Sequence, residues 1–288
     1  MTNINSGIRH EDDNRLIGYQ LSLWVSFKKG FVLLCSTCSF MLALSQPAIA
    51  NPTGAEVVSG NVTIQQAPQN TTINQSSQKA IINWQSFNIG SDEATHFQQP
   101  AGGIALNRIN GSNGVSQIYG RLTATGQIIL VNPAGIYFGP SAYVNVGGLI
   151  AATANISNEN FLAGKYAFDI ASPYNSSIIN EGLIIAAANG LIAVVAPTVI
   201  NHGIIEADTG TIVLASVKTF TINFDGNGLV NFVMGEGTTN DKSSIENTGS
   251  LIANGGKIMV SAKTAQRVLD NSINMNGVAQ ANSVGTKN

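Results

Sequence analysis

Short apolar, β-branched runs recur along this chain between Asn/Gly corners, and several of them repeat almost word for word. The phrase Asn180-Glu181-Gly182-Leu183-Ile184-Ile185-Ala186 returns as Asn201-His202-Gly203-Ile204-Ile205-Glu206-Ala207. It returns again as Asn247-Thr248-Gly249-Ser250-Leu251-Ile252-Ala253, with a decayed copy from Met275 through Gly277 to Ala281. A second phrase follows each of the first three: Gly190-Leu191-Ile192-Ala193-Val194, Gly210-Thr211-Ile212-Val213-Leu214 and Gly256-Lys257-Ile258-Met259-Val260. The first two copies lie 21 residues apart; the next interval, 46, reads as about two coils with a small insertion. Two short strands per repeat cannot bury an apolar face alone, so successive repeats must stack and share one interior. Leucine-rich repeats have a similar period, but their fixed Leu/Asn lattice is absent. The pattern predicts an all-β protein, a parallel β-helix. Ile192, Ile212 and Ile258 should stack in one inward column with Thr211 outward; the rival register puts Val213 inside instead. Asn180, Asn201 and Asn247 align either as a buried amide ladder or as simple αL corners.

Earlier coils extend the same rhythm through Gly126-Gln127-Ile128-Ile129-Leu130 and through residues 143–150. Between them stands Asn132-Pro133-Ala134-Gly135, flanked on both sides by apolar runs. Asn at the first position can bond the backbone through its side chain, Pro presets φ at the second, and Gly completes a type I signature. Ala134 argues against type II, which needs φ > 0 at that place. A sharp corner is therefore expected at 132–135. Residues 155–177 break the rhythm and read as an excursion off the solenoid, an added hairpin. Residues 220–237 form a similar excursion, with Asp225-Gly226-Asn227-Gly228 as its loop. The stretch 51–110 is less regular, with short strands at 57–58, 62–64, 71–74, 80–89 (alternating after Ile82) and 104–109. Trp84 in its alternating run reads as a core anchor. The expected division is thus a signal segment at 1–50, an N-terminal β cap at 51–110 and β-helix coils at 111–288, with extra-helical hairpins.

The signal segment rests on its own pattern. Lys28-Lys29 precede an apolar run over 31–44, and Pro47-Ala48-Ile49-Ala50 ends in an Ala-x-Ala cleavage site. The run is shorter than the ~18–20 residues that span a bilayer. The region ahead of it is unusually long and holds Glu11-Asp12-Asp13, which suggests a start site further downstream. Cys35 and Cys38, the only cysteines, leave with the signal, and neither follows the small residue a lipoprotein site wants. After residue 50, ten Lys/Arg stand against thirteen Asp/Glu, with no basic block. Nucleic acid and anionic membrane are poor partners for such a chain, and the mature form is expected to hold no integral membrane segment.

No catalytic, cofactor or metal site is expected. His96 and His202 are the only mature histidines and lie far apart, so no zinc set forms, and Cys nucleophiles are excluded. Asp92-Glu93 and Glu206/Asp208 read as solvated turns, and no Gly-rich loop opens a helix. A polysaccharide-active enzyme on a β-helix is the alternative; it would need clustered carboxylates beside a basic residue. An outer-membrane barrel is the other; it should show ten-residue alternating strands with aromatic girdles.

Several motifs in order resemble one known family. Asn51-Pro52-Thr53-Gly54, Ile82-Asn83-Trp84-Gln85-Ser86-Phe87-Asn88-Ile89-Gly90 and Asn107-Arg108-Ile109 are similar to the N-terminal secretion domain of two-partner-secretion exoproteins. So are residues 126–139 and 156–164. These are the filamentous-haemagglutinin-like and high-molecular-weight-adhesin-like TpsA proteins of Gram-negative bacteria. The family's Asn-Pro-Asn-Gly reads Asn132-Pro133-Ala134-Gly135 here, and the Asn-Pro-Asn-Leu motif of one subfamily is missing. The resemblance implies a right-handed parallel β-helix and a non-enzymatic exoprotein exported by the Sec pathway, then secreted or held at the outer membrane. Its partner would be a TpsB transporter that recognises the unfolded segment through POTRA domains. Asn132, Pro133, Gly135, Asn83 and Trp84 would carry that recognition or nucleate the fold. Relatives continue for many hundreds of residues, where adhesion and a host-surface receptor site reside, so a truncated fragment is a further alternative.

Overall fold

The computed structural model describes residues 51–225, 229–238, 245–263 and 273–282. The segment read as a signal peptide and the loop at 226–228 lie outside these residues. The described chain winds through three parallel sheets of eight, nine and six strands, here sheets 1, 2 and 3. One coil is Ser177–Asn180 in sheet 3, Leu183–Ala186 in sheet 2 and Leu191–Ala196 in sheet 1. The next is Thr198–Asn201, Ile204–Glu206 and Thr211–Ser216, paired in parallel with the first at every level. This is the parallel β-helix expected from the repeats.

The corners explain the glycines. A Cβ on Gly203, Gly249 or Gly277 would meet the carbonyl oxygen of the equivalent glycine one coil earlier at 2.0–2.1 Å. Only a residue without a side chain lets the backbones stack that closely. The asparagines before them form a ladder rather than αL corners. Asn180 Nδ2 donates to Asn201 Oδ1 at 2.8 Å, and Asn201 Nδ2 to Asn247 Oδ1 at 2.7 Å. All three are buried within strands, and none has positive φ. Met275 takes the next rung, where the described ladder ends.

Asn201 and Asn247 are direct register partners, so the 46-residue interval is one coil and a long excursion, not two coils. That excursion is an antiparallel hairpin, Phe220–Asp225 with Leu229–Met234. The earlier excursion is not a hairpin of its own. It holds a short helix, Asn158–Leu162, capped by Ser157, and one strand, Tyr166–Phe168, that pairs with Phe220–Asp225. Residues distant in sequence thus build one small three-stranded sheet. Within the stretch 51–110 the pairing changes along the chain. Here Glu56–Ser59 and Val62–Ala67 are the strands that pair antiparallel, with Lys79–Trp84 and Asn70–Gln75 respectively. Asn70–Gln75 and Lys79–Trp84 already pair in parallel with the strands of the next coil, so coils begin near residue 70.

Packing separates two cores. Inward positions of sheet 1, including Ile128, Leu149, Ile192 and Ile212, fill the coil interior. Ile212 lies between Ile192 and Ile258 in one column, as the register predicted. Outward positions of the same sheet are not wet, however. Ile81, Leu106, Ile129, Ile150 and Val213 belong to a second core roofed by Phe161, Tyr166, Phe168, Phe220 and Ile222 of the excursions. Val213 is therefore outward and buried at once. Neither register foreseen from sequence allowed for that, because the roof comes from far along the chain.

Candidate functional site

The corner at Asn132 lies between sheet 1 and sheet 3, after Gln127–Val131 and before Ile136–Phe138. The Gly135 N–H donates to the Asn132 carbonyl at 3.0 Å, closing the expected four-residue turn. The Ala134 N–H donates to Asn132 Oδ1 at 2.9 Å, an Asx turn inside it. The Asn132 amide nitrogen turns the other way and donates to the Gly114 carbonyl and Ser116 Oγ, both at 3.0 Å. Its backbone N–H donates to Ala152 in the next coil at 3.1 Å. Asn132 is 0 % exposed. The Pro133 carbonyl accepts from Ser172 Oγ at 2.7 Å and from Ser176 Oγ. One turn thereby ties together three successive passes of the chain.

Gly135 sits at φ 112°, and a Cβ there would lie 2.5 Å from the Ser177 carbonyl oxygen. Both the backbone and the space demand glycine. Gly135→Ala is expected to cost more than ~1 kcal/mol, the usual penalty where alanine cannot take the native φ. A fall in the urea midpoint with unchanged m-value would show it.

Asn83 and Trp84 belong to a second knot. The Trp84 side chain points inward, 2 % exposed, edge-on to Phe87 at 5.4 Å. Its indole N–H donates to Asn107 Oδ1 at 3.0 Å, and Asn107 is itself 0 % exposed. Asn83 points outward, where its Oδ1 accepts from Arg108 Nη1 at 3.3 Å. Arg108 also donates through Nε to Asn155 Oδ1 and through Nη2 to the Ile156 carbonyl, both at 2.8 Å. Burial pushes the Arg108 guanidinium below its ordinary value, and its neutral oxygen partners replace lost water. A short 3-10 turn, Gly111–Asn113, joins the two knots. The Asn110 N–H reaches the Trp84 carbonyl at 3.0 Å, and Asn113 Nδ2 reaches that of Gln85 at 2.7 Å. The next residue, Gly114, offers its carbonyl to Asn132.

The first residues after the expected cleavage site are fixed beside this assembly. Thr53 exchanges backbone bonds with Gln85 and Ser86, and its hydroxyl pairs with Ser86 Oγ at 2.7 Å. All five residues singled out from the sequence therefore fall in one linked region at the N-terminal coils. Sequence reasoning left Asn107, Arg108, Asn155 and Ser116 without roles; a polar residue at an inward or mid-strand position was the signal available. Elsewhere, the Tyr137 hydroxyl donates to Glu181 Oε2 at 2.5 Å on the outer surface, and that bond chiefly pushes it up to about 12. Among the described residues no group of three or more His, Cys, Asp or Glu could hold a metal ion.

The family model for the TPS secretion domain matches residues 48–288. The chain belongs to the TPS secretion domain family. This is the secretion domain of two-partner-secretion exoproteins. The chain is 31 % identical over 247 residues to a heme/hemopexin-binding protein of Haemophilus influenzae strain Rd, covering 82 % of this chain and 26 % of that protein. A second Haemophilus influenzae protein of the same name is 31 % identical over 280 residues, covering 89 % and 29 %. The chain thus spans between a quarter and a third of these relatives. Among solved structures, the HMW1 secretion domain from Haemophilus influenzae superposes with a TM-score of 0.61 at 28 % identity. That match covers 73 % of this chain and 64 % of the HMW1 chain.

Proposed function

We propose that the TPS domain acts as a folding-coupled export signal: its unfolded form is recognised by the POTRA domains of a TpsB transporter, and its folded form is the release state. The observation that carries this reading is the burial of the motif. Asn132 is 0 % exposed and Trp84 2 % exposed, so the folded protein offers neither to a partner. Either the transporter reads these residues before folding, or they serve the fold itself. An unfolded segment can bind by adding a strand to a sheet edge, since its backbone groups are unpaired. Export into the periplasm by the Sec pathway, cleavage after Ala50 and final placement at the cell surface or in the medium complete the route. The haem and haemopexin binding named for the relatives belongs to proteins of which this chain matches 26–29 %. A host-surface receptor for this chain would be a property of regions beyond the secretion signal.

Asn132→Ala separates the two roles. It leaves the buried Ser116 Oγ without this donor, a loss of roughly 1–3 kcal/mol for a buried group left unsatisfied, and also removes the part-buried bonds to the Gly114 carbonyl and from the Ala134 N–H. Slower refolding and reduced secretion are expected, with unchanged affinity of the urea-unfolded chain for isolated POTRA domains. Unchanged refolding with weakened POTRA binding would make the motif a direct recognition element instead. If neither secretion nor refolding moved, the proposed role of this corner would fall.

A further inference from the structure

Two basic side chains from the first coils reach across the outer face of sheet 1 and hold the excursion that roofs it. Lys79 Nζ donates to the Phe161 and Leu162 carbonyls at 3.1 and 2.8 Å and lies 5.8 Å from the Phe161 ring centroid. It adds a charged donor at the carbonyl end of the short helix Asn158–Leu162, where a cation is favoured. Arg108 holds the start of the same excursion through Asn155 and the Ile156 carbonyl. The register places Lys79 beside Ile104 and Asn83 beside Arg108, so the two anchors stand at opposite ends of neighbouring strands. Between and beside them lie Ile81, Leu106 and Ile129, each at most 1 % exposed. Their cover includes Phe168, stacked on Phe220 at 4.4 Å with an 8° interplanar angle.

The outer face of the first coils is therefore completed by residues that follow them by dozens of positions. Strands at 79–84, 104–109 and 127–131 can form their coil interior without the excursions, but one whole apolar face then stays in water. Burying a large aliphatic side chain stabilises by roughly 1.5–3 kcal/mol, so leaving several uncovered removes much of a domain's margin.

We propose that Lys79 and Arg108 are positioning residues that tie closure of the first coils to arrival of the excursion, so that residues 70–222 lock as one cooperative unit. The coils then cannot lock until Phe220–Asp225 has been delivered, whichever end of the chain leads. In export, for which this rests on the proposed function, the domain stays threadable until nearly all of it is out. The cooperativity itself is a property of the purified chain.

Native-state hydrogen exchange on the mature chain under a denaturant series tests it. In the wild type, amides of Lys79–Trp84, Ile104–Ile109 and Tyr166–Phe168 should exchange through one shared opening. In Lys79→Met, all three strands should lose protection by the same factor, roughly tenfold or more for hydrogen bonds to a charged donor. Arg108→Gln should do likewise, while Lys79→Arg keeps the wild-type coupling. Loss confined to residues 155–168, with the two coil strands unchanged, would overturn the proposal. So would separate openings in the wild type, a result available even if a variant fails to fold. No transporter enters this measurement, so its failure leaves the export reading standing, and the reverse also holds.

Discussion

Trp84→Ala is expected to lower the unfolding free energy by about 3–5 kcal/mol, the range for removing a buried large aromatic. Two losses combine. The ring is 2 % exposed and packs edge-on against Phe87 in the coil interior, where no neighbour can collapse far across a stacked solenoid. Its indole N–H also satisfies Asn107 Oδ1, which alanine leaves without that donor inside an apolar core. Trp84→Phe restores much of the volume but not the hydrogen bond, so it should recover most of the stability and not all. Guanidinium denaturation of the mature chain, read by circular dichroism, gives the ranking. If Trp84→Phe were as damaging as Trp84→Ala, the hydrogen bond to Asn107 would dominate and the packing account would be wrong.

Ile212→Ala is expected to cost about 2–5 kcal/mol. The side chain is 0 % exposed, with Ile192 and Ile258 as its register partners one coil below and one above. A cavity there interrupts a column rather than a surface. Thr211→Ala, at a half-buried outward position, should stay under about 0.5 kcal/mol. Val213→Ala falls between them, because Val213 is outward yet 0 % exposed beneath the excursions and loses only two methyl groups. Denaturant midpoints for the three variants give the order Ile212, Val213, Thr211. An Ile212 variant milder than Thr211→Ala would mean a coil register displaced by one residue.

The order of these three shows what the sequence made legible. Its 21-residue phrases fixed the coil, the corners and the inward column, because stacking demands identical residues at identical places. The same rule made the Asn180, Asn201 and Asn247 ladder foreseeable, although αL corners would have left the same letters. The second core left a fainter trace. Leu191-Ile192-Ala193-Val194-Val195-Ala196 is apolar throughout, and a strand with no polar alternation is one buried on both faces. What covered the outer face was not legible, since Phe168 and Phe220 belong to different excursions that only the folded chain brings together. The Arg108 contacts were hidden for the same reason: Asn155 lies 47 residues away, at no repeat spacing. The corner at Asn132 was legible as a turn because its signal is local. Its ties to Gly114, Ser116 and Ala152 are not local, and they turn the motif into a knot.

The central claim is that this chain carries an export signal read by a dedicated transporter. The most direct measurement is the amount of mature protein in the culture medium of Gram-negative cells producing residues 1–288, with and without a cognate TpsB transporter. The account predicts mature, β-rich protein in the medium or on the cell surface only when the transporter is present, and unfolded or degraded periplasmic material without it. Equal release in both strains, or recovery solely in detergent-solubilised membranes, would contradict it.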